Sequence, residues 1–229
     1  MIIHLINPNS TASMTQKIEA AAKGAASPGT TIRASNPEAT PKSIEGHADE
    51  AVSTPHVLAM IEADVAADAF ILACFDDPGL HAAREITKAP VIGIAEAAMT
   101  VAATLARRFS IVTTLPRAVP IIEDLVADYG HSARCRRVRS ANIPVLALEE
   151  GGASAAVRAE VGAAITQDGA DAVVLGCAGM ADLAGALTTQ MGVPVIDGVV
   201  AATRLAEAIA GLGLGTSKAG AYAFPTQKG

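Results

Sequence analysis

Asp68-Ala69-Phe70-Ile71-Leu72-Ala73-Cys74-Phe75-Asp76-Asp77-Pro78-Gly79-Leu80 is one of two matching stretches that decide the fold. The other is Asp171-Ala172-Val173-Val174-Leu175-Gly176-Cys177-Ala178-Gly179-Met180-Ala181-Asp182-Leu183. Each is a short apolar run, a small residue, a cysteine and then a helix start. An apolar run of that length between turn residues suits a strand buried on both faces of a parallel sheet. The cysteine then falls at the carboxyl edge of its strand, where open α/β sheets place their ligands.

The chain around these stretches runs through the same events twice. Strands are expected at Ile2 to Ile6, Thr31 to Ala34, Phe70 to Ala73 and Pro90 to Ile94, with a helix after each. The order restarts with strands at Phe109 to Thr113, Arg136 to Ala141, Asp171 to Leu175 and from Pro194. Pro194-Val195-Ile196-Asp197 matches Pro90-Val91-Ile92-Gly93 almost place for place. Strand–helix alternation means parallel sheets with right-handed crossovers. The expected fold is therefore α/β: two similar lobes related by a pseudo-twofold axis, each a four-stranded parallel sheet flanked by helices, with the active site between them. Residues 1–97 with 205–229 are assigned to the first lobe and 98–204 to the second. The loop from Pro144 to Ala153 precedes the helix that leads to the second cysteine strand, and the segment from Gly211 is expected to pack back on the first lobe. Ser10 is expected to cap the first helix, and Asp77 the helix after Cys74, with Pro78 as its first residue.

Bulk properties narrow the function. A chain 51% apolar and 17% charged buries a large core and is not disordered. A net charge of −6 argues against nucleic acid as the partner. The basic cluster from Arg134 to Arg139 around Cys135 is expected to be a solvated strand face. The start Met1-Ile2-Ile3-His4 has neither the basic segment nor the apolar core of a signal peptide. The run from Ala89 to Ala106 is broken by Pro90, Gly93 and Glu96 and is too interrupted to span a membrane. Three cysteines without an export signal point to free thiols in a cytoplasmic location.

Two thiols facing one carbon from opposite sides can remove a proton on one face and return one on the other. Helix amino ends beside them favour the thiolate, and the same amides can hold the oxyanion of a deprotonated carbon acid. A lone cysteine at a strand end is most often core. Two at the same place of a repeat shift the balance to function, whereas Cys135 lacks that setting. Other chemistry fails on spacing. Neither cysteine has a neighbour at zinc spacing, so no metal is expected. The histidines form no metal pair, and Gly211-Leu212-Gly213-Leu214-Gly215 is not a dinucleotide loop. Asp76 and Asp77 read better as capping residues than as an acid–base pair.

Several blocks carry a resemblance. Asn7-Pro8-Asn9-Ser10-Thr11, Ser43-Ile44-Glu45-Gly46, Cys74-Phe75-Asp76-Asp77-Pro78-Gly79-Leu80, Val112-Thr113-Thr114-Leu115, Leu146-Ala147-Leu148-Glu149-Glu150 and Gly176-Cys177-Ala178-Gly179-Met180-Ala181 resemble the hydantoin racemases of the aspartate/glutamate racemase superfamily. The resemblance covers almost the whole chain. It implies a cofactor-independent racemase acting at C5 of 5-monosubstituted hydantoins, with Cys74 and Cys177 as acid/base thiols. It also implies substrate contacts at Asn9, Ser43, Phe75, Thr113, Thr114, Ala178 and Gly179, and a homo-oligomer. Allantoin and amino-acid racemases are the alternatives within that superfamily. A two-lobe small-ligand binding protein is the alternative outside catalysis. For a neutral ring the cleft is expected to lack a Lys or Arg clamp.

Overall fold

The structure, a computed structural model, describes residues 1–149 and 153–226. Residues 150–152, which fall within the stretch Pro144 to Ala153 expected to be a loop, and residues 227–229 lie outside the described residues. The first half runs β1 (Ile2–Ile6), α1 (Ala12–Ala25), β2 (Thr31–Ser35), α2 (His47–Ala63), β3 (Ala69–Leu72), α3 (Leu80–Ile86), β4 (Val91–Gly93) and α4 (Ile94–Leu105). The second runs β5 (Phe109–Thr113), α5 (Val119–Asp128), β6 (Cys135–Ser140), α6 (Ala153–Thr166), β7 (Ala172–Leu175), α7 (Ala184–Met191), β8 (Val195–Asp197) and α8 (Gly198–Gly211). The sheets are ordered β2-β1-β3-β4 and β6-β5-β7-β8, and every pairing is parallel. This is the architecture expected from the sequence, one sheet per repeat.

The repeat extends to single hydrogen bonds. Ala73 N donates to Ile6 O at 2.9 Å, and its counterpart Gly176 N donates to Val112 O at 2.8 Å. Asp77 N donates to Cys74 O at 3.1 Å, as Met180 N does to Cys177 O at 3.0 Å. Ile94 and Gly198 occupy matching places in the repeat, and a Cβ on Gly198 would stand 2.7 Å from the Ile94 carbonyl oxygen. A residue meets its own counterpart only on a twofold axis. The pseudo-axis therefore passes between the first turns of α4 and α8, and the close approach requires glycine at 198.

Around that axis, helices α1, α4, α5 and α8 fill one continuous core between the inner faces of the sheets. Ile18, Ala98, Ala102, Ile122, Val199 and Ala202 pack there with Leu5, Ile71, Ile111 and Val174. Alanine on α4 and α8 lets the two helices approach closely. Because strand side chains alternate faces, Ile6, Phe70 and Leu72 point outward under α2 and α3. Val112, Val173 and Leu175 do the same under α6 and α7. Each sheet is thus buried on both faces, which is why its strands read as unbroken apolar runs. Helix α4 also packs on β7, and α8 on β3, so each lobe lends a helix to the other. The segment after α8 returns to the first lobe: Thr216 N donates to Lys88 O at 2.8 Å, and Tyr222 Oη lies 2.8 Å from His81 Nδ1. Among the described residues, no helix is long and apolar enough to cross a membrane.

Three local expectations need correction. Helix α1 begins at Ala12, so the cap position falls to Thr11 and not Ser10. Asn9 Oδ1 accepts from Thr11 N at 2.9 Å and carries the turn one residue further. Asp77 does not cap α3, which starts at Leu80 behind Gly79 in the left-handed conformation. Its carboxylate instead accepts from Ala95 N (3.1 Å) and Glu96 N (3.0 Å) at the start of α4, and from Tyr129 Oη (2.8 Å) of the second half. Gly93, at the cap position of α4, has no side chain to do this, and a Cβ there would stand 2.3 Å from the Asp77 carboxylate. In the second half the positions are exchanged. Met180 stands where Asp77 does, and Asp197 stands where Gly93 does and accepts from Val200 N at 2.8 Å to cap α8.

The basic face is also only partly solvated. Arg136 and Arg137 are exposed, but Arg139 turns inward. It holds Asp168 through two bonds of 2.7 Å, with the side chains 9% and 6% exposed, and Ser110 Oγ donates to the same carboxylate at 3.0 Å. These donors, Arg139 first, hold the Asp168 pKa below its usual range. A carboxyl group with a depressed folded pKa contributes stability above its unfolded pKa and loses it as pH falls through the folded one. Arg139→Ala leaves a buried carboxylate without its cation and is expected to cost about 3–5 kcal/mol. Thermal melts at neutral pH check this, and the deficit should shrink below about pH 4, where Asp168 of the variant is protonated.

Candidate active site

Three strand-end loops from each lobe converge on one cleft at the carboxyl ends of the sheets. The first lobe supplies Asn9 after β1, Ile44 and Glu45 after β2, and Ala73, Cys74, Phe75 and Asp76 after β3, with Met14 of α1. The second supplies Thr113 at the end of β5 with Thr114, Leu115 and Ala118 after it, Val145 after β6, and Gly176, Cys177 and Ala178 after β7. The cleft holds about 480 Å³ of space between atoms, its open mouth included. Its wall is mostly apolar, and no Lys or Arg is among the described residues that line it.

Of the nine residues singled out from the sequence, Cys74, Cys177, Asn9, Phe75, Thr113, Thr114 and Ala178 line this cleft. Ser43 and Gly179 stand behind the lining. The Ser43 hydroxyl lies 3.4 Å from Glu45 Oε1, so it orients that carboxylate. Gly179 stands against Cys177, where a Cβ on it would lie 3.7 Å from the sulfur, and its amide favours the thiolate. Glu45, Asp76, Met14, Ile44 and Val145 were not singled out as lining residues. Glu45 lay inside one of the quoted blocks, and Asp76 was set aside with Asp77 as a capping residue. Asp77 does cap a helix; Asp76 does not share that work and faces the cleft.

Both cysteines are free and partly exposed, one from each lobe, in the same place of the repeat. The backbone amide two positions on, of Asp76 for Cys74 and of Gly179 for Cys177, favours each thiolate. The helix amino ends expected beside them are only partly realised. Cys177 opens a 3₁₀ turn over Ala178–Leu183 directly, whereas α3 starts six residues after Cys74. The dry surroundings outweigh those amides. Burial pushes Cys177 up to about 11 and Cys74 well above the usual thiol range, where Asp76 adds to the effect. The amides do favour the thiolates, as expected, but burial outweighs them and pushes both groups towards the thiol form. Cys135 lies outside the cleft and is pushed up to about 12 by burial.

The polar groups of the cleft are held in place. Asn9 Oδ1 accepts from Asn7 Nδ2 (3.0 Å) and Thr11 N (2.9 Å), while its amide nitrogen meets only the soft Met14 sulfur at 3.4 Å. That leaves the nitrogen as the donor presented to a ligand. Thr113 Oγ1 donates to Gly176 O at 3.0 Å and ties the end of β5 to the residue before Cys177. Glu45 Oε1 accepts from Val145 N at 3.2 Å and bridges the lobes at the cleft. Among the described residues, no group of three or more His, Cys, Asp or Glu side chains is arranged to hold a metal ion.

Twin α/β lobes thus bring one free thiol each to a shared cleft. Residues 3–206 match the family described as Asp/Glu/Hydantoin racemase. The chain is 56% identical to a hydantoin racemase of Rhizobium meliloti, over 100% of this chain and 96% of that one. It is 48% identical to a hydantoin racemase of a Pseudomonas species, strain NS671, over 100% and 93%. Among solved structures, allantoin racemase from Klebsiella pneumoniae superposes with a TM-score of 0.97 at 50% identity, over 100% and 95%. The chain belongs to the Asp/Glu/hydantoin racemase family. It is an isomerase, a racemase of a small molecule.

Proposed function

We propose that this racemase inverts C5 of 5-monosubstituted hydantoins by a two-base mechanism, with Cys74 and Cys177 on opposite faces of the ring. The observation that carries it is that the two free thiols line one cleft from equivalent places of two lobes. One cysteine, as thiolate, removes the C5 proton, and the electron pair passes onto the adjacent ring carbonyl as an enolate. The other, as thiol, returns a proton to the opposite face, and the roles exchange for the other enantiomer. The Asn9 amide nitrogen is a donor for a ring carbonyl oxygen, and the Glu45 carboxylate an acceptor for a ring N–H. Thr113, Thr114, Ala178 and Gly179 complete the ring's surroundings, Gly179 through its amide, and Ser43 serves through Glu45. Phe75, Met14, Ile44, Leu115 and Val145 give the C5 substituent an apolar wall. This wall favours an alkyl or aryl group. Allantoin is the second reading, supported by the likeness to the Klebsiella enzyme; its C5 group is polar.

The same proposal takes in the lobe boundaries, 1–97 with 205–229 against 98–204, as the two bodies that hold the ring between them. Exchange of α4 and α8 between the lobes supports it. Three free thiols support a reducing, cytoplasmic compartment, and a homo-oligomer is part of the same proposal.

Incubating an enantiopure 5-alkylhydantoin with the protein and following its optical rotation tests the activity. Rotation decaying to zero is expected, and constant rotation refutes the proposal. The pH dependence is a further prediction. Only a thiolate can accept the C5 proton, and Cys177 titrates near 11. The kcat/KM for racemisation, corrected for uncatalysed exchange, should therefore rise by up to tenfold per unit between about pH 7 and 9.

A further inference from the structure

The two thiols are matched by the repeat, but the residues two positions beyond them are not. Gly179 follows Cys177, and a Cβ built on it would lie 3.7 Å from the Cys177 sulfur. A side chain at this position therefore rests against the thiol. In the first lobe the position is Asp76, whose carboxylate lines the cleft. The backbone amide of each favours the thiolate of its own cysteine. The lobes thus differ at this point by one carboxylate.

We propose that Asp76 makes the thiols unequal, keeping the proton on Cys74 so that Cys177 is the first of the pair to ionise. Its meaning for catalysis rests on the two-thiol reading given above. The charges around each group point the same way. Facing Cys74 are Asp76 and Asp77, both of which oppose a thiolate, and Cys177, whose repulsion as a thiolate is mutual and orders neither group. Facing Cys177 are Asp76 and Asp197, but also Lys17 of α1, which favours its thiolate and forms an ion pair with Asp182 at 3.0 Å. Asp76 is faced in turn by Glu50 and His47 of α2. Burial raises its carboxyl to about 7, with Glu50 adding to the rise and His47 opposing it. The carboxylate is consequently charged over the range in which thiols ionise. Asp76 is a positioning residue: it acts by placing the proton of the couple and needs no contact with the substrate. The enzyme then rests with its first available base on the second lobe and its acid on the first. The enantiomer whose C5 proton faces Cys177 is turned over directly, and the other must wait for the proton to move.

Thiol alkylation without substrate reads the order of ionisation. A thiolate displaces iodide from iodoacetamide and forms a stable thioether, so the rate at each cysteine follows its thiolate fraction. Peptide mass spectrometry after timed alkylation at fixed pH between about 7 and 9 gives a rate for each site, and below the thiol pKa values the ratio of rates follows the ratio of thiolate fractions. Expected in the parent protein is alkylation of Cys177 at least about tenfold faster than of Cys74. Asp76→Asn removes the charge at nearly constant shape and should raise the Cys74 rate towards that of Cys177. Cys135, outside the cleft, is the internal reference and should not change. Cys74 reacting first in the parent, or an unchanged Cys74 rate in Asp76→Asn, overturns the proposal. Asp76→Ser replaces the variant if the asparagine form does not fold, judged by circular dichroism. The readout is independent of turnover. An inactive protein with the expected order contradicts the racemase reading alone, and an active one with the reverse order contradicts this inference alone.

Discussion

Replacing either Cys74 or Cys177 by serine is expected to lower racemisation in both directions by about 10²–10⁴-fold, the usual contribution of a positioned acid or base. Inversion needs a base on one face and an acid on the other, so each thiol is required whichever enantiomer is supplied. Serine is nearly isosteric but far too weak an acid or base at neutral pH, and the fold should be untouched. Cys177 packs against the edges of two core clusters, but serine is close enough in volume that little packing is lost. Polarimetry from each enantiomer checks the rate, and thermal melts check the fold. A serine variant that racemises at close to the parental rate would make that cysteine a packing residue.

The second large effect concerns the cap that the lobes exchange. Asp77→Met removes the acceptor for Ala95 N, in a buried setting, and for Glu96 N and Tyr129 Oη, which are partly buried. Leaving a buried donor unpaired costs about 1–3 kcal/mol, so a loss on the order of 3 kcal/mol is expected. Gly93→Asp in the parent drives a Cβ to within 2.3 Å of the Asp77 carboxylate. Overpacking of this kind costs about 1–3 kcal/mol, and the repulsion between two carboxylates adds to it. The double variant recreates the arrangement of the second lobe, where Met180 stands beside a self-capping Asp197. It should therefore recover most of both losses, with a coupling energy of about 2 kcal/mol or more. Denaturant melts of all four proteins measure the cycle, and simple additivity would contradict the exchange.

The cap exchange also shows where the sequence stopped being legible. The strands, their order of occurrence and the two cysteines were readable because a doubly buried parallel strand is apolar throughout and ends in a turn. Their signal is local. Asp77 was assigned to the helix that follows it because capping is normally local too. Its true partners lie 18 and 19 residues on, at Ala95 and Glu96, with Tyr129 further still. Nothing near Asp77 announces this; the clue is the missing side chain at Gly93, seen only when the repeats are aligned. Arg139 was hidden in a basic run because its partner Asp168 lies on another loop. Glu45 and Asp76 escaped for a related reason. A carboxylate on a polar loop reads as solvated until the opposite lobe, here Val145 and Cys177, is brought against it.

Hydrogen exchange at C5 tests the central claim, two opposed thiols serving one carbon, most directly. Each serine variant is given each enantiomer of a 5-alkylhydantoin separately in D₂O, and the C5 proton signal is followed by NMR. Cys74→Ser should exchange the proton of one enantiomer only, the one that faces Cys177, and Cys177→Ser that of the other only. Neither should invert its substrate. A variant that exchanges both enantiomers, or two variants that exchange the same one, would contradict a thiol on each face.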